Sequence, residues 1–276
     1  MSGQHQVLIS VAPVQATPHP IIPAEIAEDV FRCYQAGAAM VHLHVRDENG
    51  GLTPDPTLLN ETLRRIRDLC DIVIEVSTGG VSNLNIEERC VPCHEDLVEA
   101  VSLNVGSVNL GKAVYQNPIQ DVEYCVQSLM AGHKVPEIEV FELGMIHTVR
   151  QLQDKFGLPD PLLFALVFGH EGEMPATRAA LDHMLSFLNV TFADKEVRPL
   201  WGYTQSARKD WDMMRYALEL GADSIRVGFE DSDYLDADTR VETNAPIVQR
   251  AADLVRATGA RPMTAAEARA CLRIGK

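Results

Sequence analysis

Ala36-Gly37-Ala38-Ala39-Met40-Val41-His42-Leu43-His44-Val45 runs from the end of a helix through a turn into a strand. Upstream, Pro23 opens a stretch with helical spacing, and Gly37 stands where a helix C-cap favours a residue able to turn left-handed. Downstream, Met40–His44 is short and apolar apart from its histidines, as a strand should be. The Gly-Ala phrase returns at Gly221–Ala222, just ahead of the apolar Ser224–Val227. Both places mark a helix-to-strand turn.

Outward from there the same alternation covers the chain. Further strands are expected at Val7–Ala12, Ile72–Ser77, Ser102–Asn104, Glu137–Glu142, Leu162–Phe168 and Val197–Trp201. Helices are expected at about 23–36, 56–70, 87–100, 120–132, 145–156, 177–188, 209–220 and 244–258, the seventh beginning at Lys209 or Asp210. Strand and helix thus alternate eight times with no composition shift or low-complexity linker between them. Strict βα repetition requires parallel strands joined by right-handed crossovers, which leaves an open doubly wound sheet or a closed barrel. Eight units favour the α/β class in its closed form, a single (β/α)8 TIM barrel forming one catalytic domain over residues 1–276. A dinucleotide-binding open sheet would carry G-x-G-x-x-G after its first strand; Ala12-Pro13-Val14-Gln15-Ala16-Thr17-Pro18 stands there instead.

Composition narrows the partners. With 46% hydrophobic, 23% charged and 6% aromatic residues the chain is an ordinary globular mixture. Its formal charge of −15 argues against nucleic acid and anionic membranes, whose binding needs clustered Lys and Arg. A small anionic substrate stays compatible with that charge if Arg46, Arg208 or Arg226 converge in a cleft. The start, MSGQHQVLIS, lacks the features of a secretory signal, and no run of about 18 apolar residues follows. A cytoplasmic protein is expected, with Cys33, Cys70, Cys90, Cys93, Cys125 and Cys271 reduced.

In such a barrel the chemistry sits at the C-terminal ends of the strands. Side chains alternate along a strand, so His42 and His44 should point into the mouth while Val41, Leu43 and Val45 face the outer helices. Two imidazoles so placed suit a borderline-soft metal or, equally, a hydrogen-bonded pair of packed histidines. The second and eighth strands both neighbour the first, so a long carboxylate can bridge them. In Arg226-Val227-Gly228-Phe229-Glu230-Asp231, positions 226, 228 and 230 share a face if the strand runs on. Glu230 then completes a two-imidazole, one-carboxylate set with room for substrate; the alternative is a salt bridge from Arg226 to Glu230 or Asp231 that trims the rim.

Other rim positions are polar too. Gly79 and Gly80, in Ser77-Thr78-Gly79-Gly80, can let backbone N–H groups approach an anion, or can simply make a turn. Ser102 and Asn104 close the fourth strand, and Glu139 should face the same mouth, since a carboxylate in the barrel wall is otherwise costly. Cys90-Val91-Pro92-Cys93-His94 matches the haem-attachment string, which needs an export route this chain does not advertise; without a second C-x-x-C it is no zinc knuckle, and Cys90 and Cys93 read as one buried stripe of the third helix.

Laid out this way, the chain resembles the β-keto acid cleavage enzymes, the family typified by 3-keto-5-aminohexanoate cleavage enzyme, over essentially its whole length. The shared segments are His42–Asp47, Ser77–Gly80, Leu103–Gly106, Pro136–Val140 and Arg226–Asp231. The resemblance implies a zinc-binding TIM barrel that reacts a β-keto acid with acetyl-CoA, yielding acetoacetate and a new acyl-CoA. It implies that His42, His44 and Glu230 hold Zn2+ or another divalent metal, and that Ser77, Gly80 and Ser102 bind substrate; Gly79 and Asn104, polar rim positions beside them, are expected to join that set. Arg226 and Asp231 would form the base dyad, with Glu139 a further catalytic-site residue. Related barrels imply a homo-oligomer, a tetramer or dimer. Two segments depart from the family. Ala12–Pro20 carries no acidic residue, which argues against an ammonium-bearing substrate, and Gly169-His170-Glu171-Gly172-Glu173 is more acidic and less glycine-rich than its counterparts. The rivals are a metal-dependent amidohydrolase, to which His170 and Asp231 could contribute, and a non-catalytic ligand-binding barrel. In amidohydrolases, however, H-x-H lies on the first strand.

Overall fold

The computed structural model describes residues 4–194, 197 and 199–275. The chain begins β1 (Gln6–Val11), α1 (Pro23–Ala36), β2 (Met40–Leu43), α2 (Thr57–Leu69) and β3 (Val73–Val76). A single turn, α3 (Ile86–Arg89), and a 3₁₀ turn at Val91–His94 lead to β4 (Ala100–Asn104) and a hairpin, β5 (Val108–Leu110) with β6 (Ala113–Tyr115). Then come α4 (Ile119–Ala131), β7 (Val135–Val140), α5 (Leu143–Phe156), β8 (Leu162–Phe168), α6 (Arg178–Thr191) and β9 (Pro199–Gln205). The chain closes with α7 (Asp212–Glu219), β10 (Ser224–Val227), α8 (Ala245–Ala257), β11 (Arg261–Pro262) and α9 (Ala265–Leu272). Strands β1, β2, β3, β4, β7, β8, β9 and β10 lie parallel in that order, and β10 returns to β1 with Leu8 opposite Ser224 and Val11 opposite Val227. This is the closed eight-stranded barrel expected from the βα count.

Local chemistry explains the boundaries. Pro23 begins α1, where a missing N–H costs nothing, and Gly37 ends it at φ 118°. The expected third helix over 87–100 shrinks to one turn, followed by the 3₁₀ turn, because Pro92 has no N–H to donate to the Glu88 carbonyl and so cannot continue the α-helical ladder. Cys90 and Cys93 are buried there in a turn, not along a helical stripe. The fifth barrel strand starts two residues early, and Glu142 stands at the N-cap of α5. The seventh runs from Pro199 to Gln205; of its expected span Val197–Trp201, Arg198 lies outside the described residues, as do 1–3, 195, 196 and 276 of the expected domain. Asp210 accepts the Asp212 N–H at 3.0 Å, so α7 begins two residues after it.

The barrel interior is apolar at one end and ionic at the other. Leu8, Met40, Val73, Ala100, Val135, Leu163 and Leu200 pack with Met263, Ala265, Ala268 and Leu272, so β11 and α9 plug the N-terminal end. Two residues further along the same inward faces come Ser10, His42, Glu75, Ser102 and Glu137, each 0–3% exposed. Alternation alone therefore delivers a polar layer directly beneath the mouth.

An ionic clasp ties this plug to the wall. Arg269 reaches Glu99 through Nε at 2.5 Å and Nη2 at 3.0 Å, Arg67 also binds Glu99, and the Ile74 N–H donates to it at 3.1 Å. Burial opposes ionisation of Glu99, but the Arg269 bonds, the Ile74 amide and Arg67 outweigh it and hold its carboxyl below the usual value. A depressed carboxyl contributes stability above the unfolded pKa of about 4.3 and loses it as pH falls through the folded value. Glu99→Gln should therefore cost roughly 2–3 kcal/mol at pH 7, by denaturant unfolding, with the gap from the parent narrowing below pH 4. An undiminished gap at low pH would assign the cost to packing.

Candidate active site

A cavity of about 510 Å³ opens at the C-terminal ends of the strands. Its floor holds His42 and His44 from the second strand, Glu139 from β7, and Arg226, Glu230 and Asp231 from the end of β10. His42 Nε2 lies 3.3 Å from His44 Nε2 and 3.6 Å from one Glu230 oxygen, and His44 Nε2 lies 3.2 Å from the other. Glu230 does not arrive there on a continuing strand: β10 ends at Val227, and Glu230 projects from the turn that follows. Gly228 makes that turn possible. It sits at φ 133°, and a Cβ there would stand 2.3 Å from the Ala12 carbonyl oxygen. The Glu230 N–H in turn donates to that same carbonyl at 3.1 Å, which fixes the carboxylate across β1 from the histidines.

Arg226 binds the remaining acids. Its Nε and Nη2 donate to the two Asp231 oxygens at 3.1 and 2.7 Å, its Nη1 donates to Glu139 at 3.2 Å, and Nη2 is 3.6 Å from Glu230. Burial opposes its charge, but Asp231, Glu230 and Glu139 outweigh that and hold the guanidinium well above its ordinary value. Burial would likewise raise Glu230, yet His44, His42 and Arg226 hold its carboxyl well below the usual range. For His42, burial is outweighed by Glu75 and Glu230, which push the ring up to about 10. Burial, reinforced by the neighbouring Glu75, pushes Glu137 up to about 8.

This donor set fits a divalent metal such as zinc. Ligand atoms about 2.0–2.1 Å from a zinc ion at tetrahedral angles lie roughly 3.3–3.4 Å apart, close to the 3.2–3.6 Å separations among the His42, His44 and Glu230 donors. Charge argues the same way. Glu75, Glu139, Glu230 and Asp231 share this floor with Arg226 and Arg46, and with Arg208 beside Asp231, and Glu75 and Glu230 favour positive charge on His42, so a cation between the imidazoles would take the place of that proton.

The Ser77–Gly80 turn lies beside this floor, but its members divide. Ser77 and Gly80 line the cavity. Ser102 stands behind them, its hydroxyl 3.1 Å from Ser77 Oγ and accepting the Thr78 N–H at 3.1 Å. The Gly79 N–H is spent internally on Ser77 Oγ at 3.1 Å, and a Cβ on Gly79 would stand 1.5 Å from the Tyr115 hydroxyl oxygen. Asn104 is buried beside Gly79, and neither its amide oxygen nor its nitrogen has a protein partner. Tyr115 and Leu110 belong to the β5–β6 hairpin, which roofs this side and donates its Gly111 N–H to the Glu171 carbonyl at 3.0 Å. Across the mouth, His170 lines the cavity with Nδ1 held 2.5 Å from the buried Glu173. The rest of the wall is apolar, with Leu52, Val81, Phe141 and Val167.

Sequence reasoning missed Glu75 and Glu137 as site residues, and the hairpin altogether. Glu75 did leave a signal: it is the one charged residue in Ile72-Val73-Ile74-Glu75-Val76, in phase with Ser77. Glu137 shares the inward face with Glu139, two residues along.

A closed parallel barrel with two imidazoles, a carboxylate and an arginine–aspartate pair at its C-terminal mouth is the layout of a metal-assisted barrel enzyme. The chain belongs to the β-keto acid cleavage enzyme family, whose model matches residues 8–274. It is 32% identical to the 3-oxoadipate:acetyl-CoA acetyltransferase of Cupriavidus necator, over 96% of this chain and 94% of that protein. It is 28% identical to the 3,5-dioxohexanoate:acetyl-CoA acetone transferase of Paraburkholderia graminis, over 99% of this chain and 97% of that one. The solved binary complex of ObcA with oxaloacetate shares the fold with a TM-score of 0.75 at 20% identity, over 93% of this chain and 67% of the other.

Proposed function

We propose that this chain is a zinc-dependent enzyme that reacts a β-keto acid with acetyl-CoA to give acetoacetate and a new acyl-CoA. The observation that carries this reading is the convergence of His42, His44 and Glu230 at 3.2–3.6 Å, directly beside the Arg226–Asp231 pair. In the balanced reaction the bond between the keto carbon and the adjacent methylene breaks. The carboxymethyl unit joins the acetyl carbon, and the acyl group leaves on the CoA sulfur. A bound divalent ion supplies Lewis acidity, lowering the pKa of the C–H between the two carbonyls.

The chain's own groups do the rest. Asp231 takes the methylene proton, and Arg226 aims it through two hydrogen bonds while Glu139 holds the guanidinium in place. Ser77 and Gly80 contact the substrate; Ser102, Gly79 and Asn104 shape the wall behind them. The chain works as one catalytic domain and a homo-oligomer, a dimer or tetramer, with exposed Phe187 and Val190 on α6 available for contact. Cys33, Cys70, Cys90, Cys93 and Cys125 are thiols not joined in disulfides, which suits a cytoplasmic, reducing setting. No described helix is long and apolar enough to cross a membrane.

The test combines metal analysis with a panel of β-keto acids, scoring acetoacetate formed from acetyl-CoA. Turnover that disappears on chelation and returns with zinc is the expected result. Undiminished turnover in the stripped protein would refute metal dependence, and no turnover with any keto acid would favour a ligand-binding barrel. An amidohydrolase would instead hydrolyse amides without acetyl-CoA. Against that rival, His170 is engaged by Glu173 and is no part of either potential metal-binding group among the described residues.

A further inference from the structure

Glu75 is among the most enclosed ionisable groups of the described chain, at 0% exposed, and one of its oxygens, Oε1, has no partner. Nothing in the fold repays that. A buried carboxylate with an unmet oxygen costs stability, and a second carboxyl, Glu137, lies close enough that His42, Glu75 and Glu137 offer atoms within 4.8 Å of one another. An apolar residue here would pack against the same barrel layer at lower cost. The one engagement Glu75 makes through its other oxygen is with Nδ1 of His42, its register partner across β2 and β3.

We infer that Glu75 is a positioning residue for metal binding: when a metal displaces the proton from His42 Nε2, Glu75 keeps the proton on Nδ1 and holds the Nε2 lone pair toward the point shared with His44 and Glu230. A carboxylate that accepts the Nδ1 proton does two things to a ligating imidazole: it fixes the ring's rotation, and it makes the opposite nitrogen a stronger donor. The site is asymmetric in this respect. His44 Nδ1 is buried with no partner, so Glu230 and His42 alone orient its ring. His42 is the anchored member of the pair, and Glu75 is its anchor. The inference rests on the metal reading of the His42–His44–Glu230 set.

The experiment is a chelator-competition titration of metal-stripped protein with Zn2+, run on the parent and on Glu75→Gln, which keeps size and an acceptor oxygen but removes the charge. The zinc Kd should rise about 10- to 100-fold, and the visible absorption of the cobalt(II)-loaded variant should shift. The metal-free midpoint should fall, because the change removes one partner of a buried pair, so the decisive readouts are the zinc Kd and the cobalt spectrum. A zinc Kd within about twofold of the parent with an unshifted cobalt spectrum assigns Glu75 a structural role and overturns the inference. A second measurement needs no variant. The zinc-loaded parent should show a strongly deshielded proton on His42 Nδ1 by NMR; its absence also overturns the inference. A parent that binds no zinc at all would instead sink the metal reading itself.

Discussion

Glu230→Gln is expected to lower kcat/KM by about three to four orders of magnitude, and dialysed protein should lose most of its zinc. The residue is placed to do more than donate one oxygen. Each of its two oxygens faces a different imidazole, at 3.6 and 3.2 Å, and Arg226 stands 3.6 Å away. A neutral amide offers one oxygen instead of two and removes the negative charge that offsets a divalent ion. Metal polarisation of a carbonyl supplies several kcal/mol of barrier lowering, and each 1.4 kcal/mol is a tenfold change in rate. Loss of about 4–6 kcal/mol gives the stated factor. Zinc content by atomic emission and acetoacetate production are the two readouts. A variant that keeps its zinc and works within tenfold of the parent would remove Glu230 from the metal set.

Asp231→Asn tests the other half of the site and should separate cleanly from the first variant. Here kcat is expected to fall about 10²- to 10⁴-fold, the range for loss of a general base, while zinc content stays near that of the parent. The amide still meets Arg226, but only one of its two heavy atoms can accept from a guanidinium that now donates at 3.1 and 2.7 Å. A stability cost of roughly 1.5–3 kcal/mol should accompany this, as for loss of a hydrogen bond to a charged group. If the rate moved less than tenfold while the stability cost appeared in full, Asp231 would be a partner that merely neutralises Arg226.

The sequence made some of this layout visible and hid the rest for identifiable reasons. Period-two alternation placed His42 and His44 on one face, and the βα count closed the sheet, so strands two and eight had to meet across β1. The route by which Glu230 reaches the histidines was hidden, because it depends on Gly228 at φ 133° pressed against the Ala12 carbonyl, a tertiary contact. The same holds for Gly79, whose N–H is consumed by Ser77 and whose missing side chain makes space for Tyr115. Proline chemistry at Pro92 outranked the apolar spacing that had suggested a long third helix. The β5–β6 hairpin escaped because its strands span three residues each, too short for any periodicity to register.

That hairpin is wedged between two separate loops. Tyr115 leans on Gly79 at one end, and Gly111 is tied to Glu171 at the other. It therefore acts as a gauge bar across the entrance. Substitutions at Leu110 and Tyr115, the hairpin residues that line the cavity, would re-size the aperture while the ionic floor below stayed as it is. Diversification of substrate preference could proceed through this small appendage, leaving the costly buried charges of the barrel untouched.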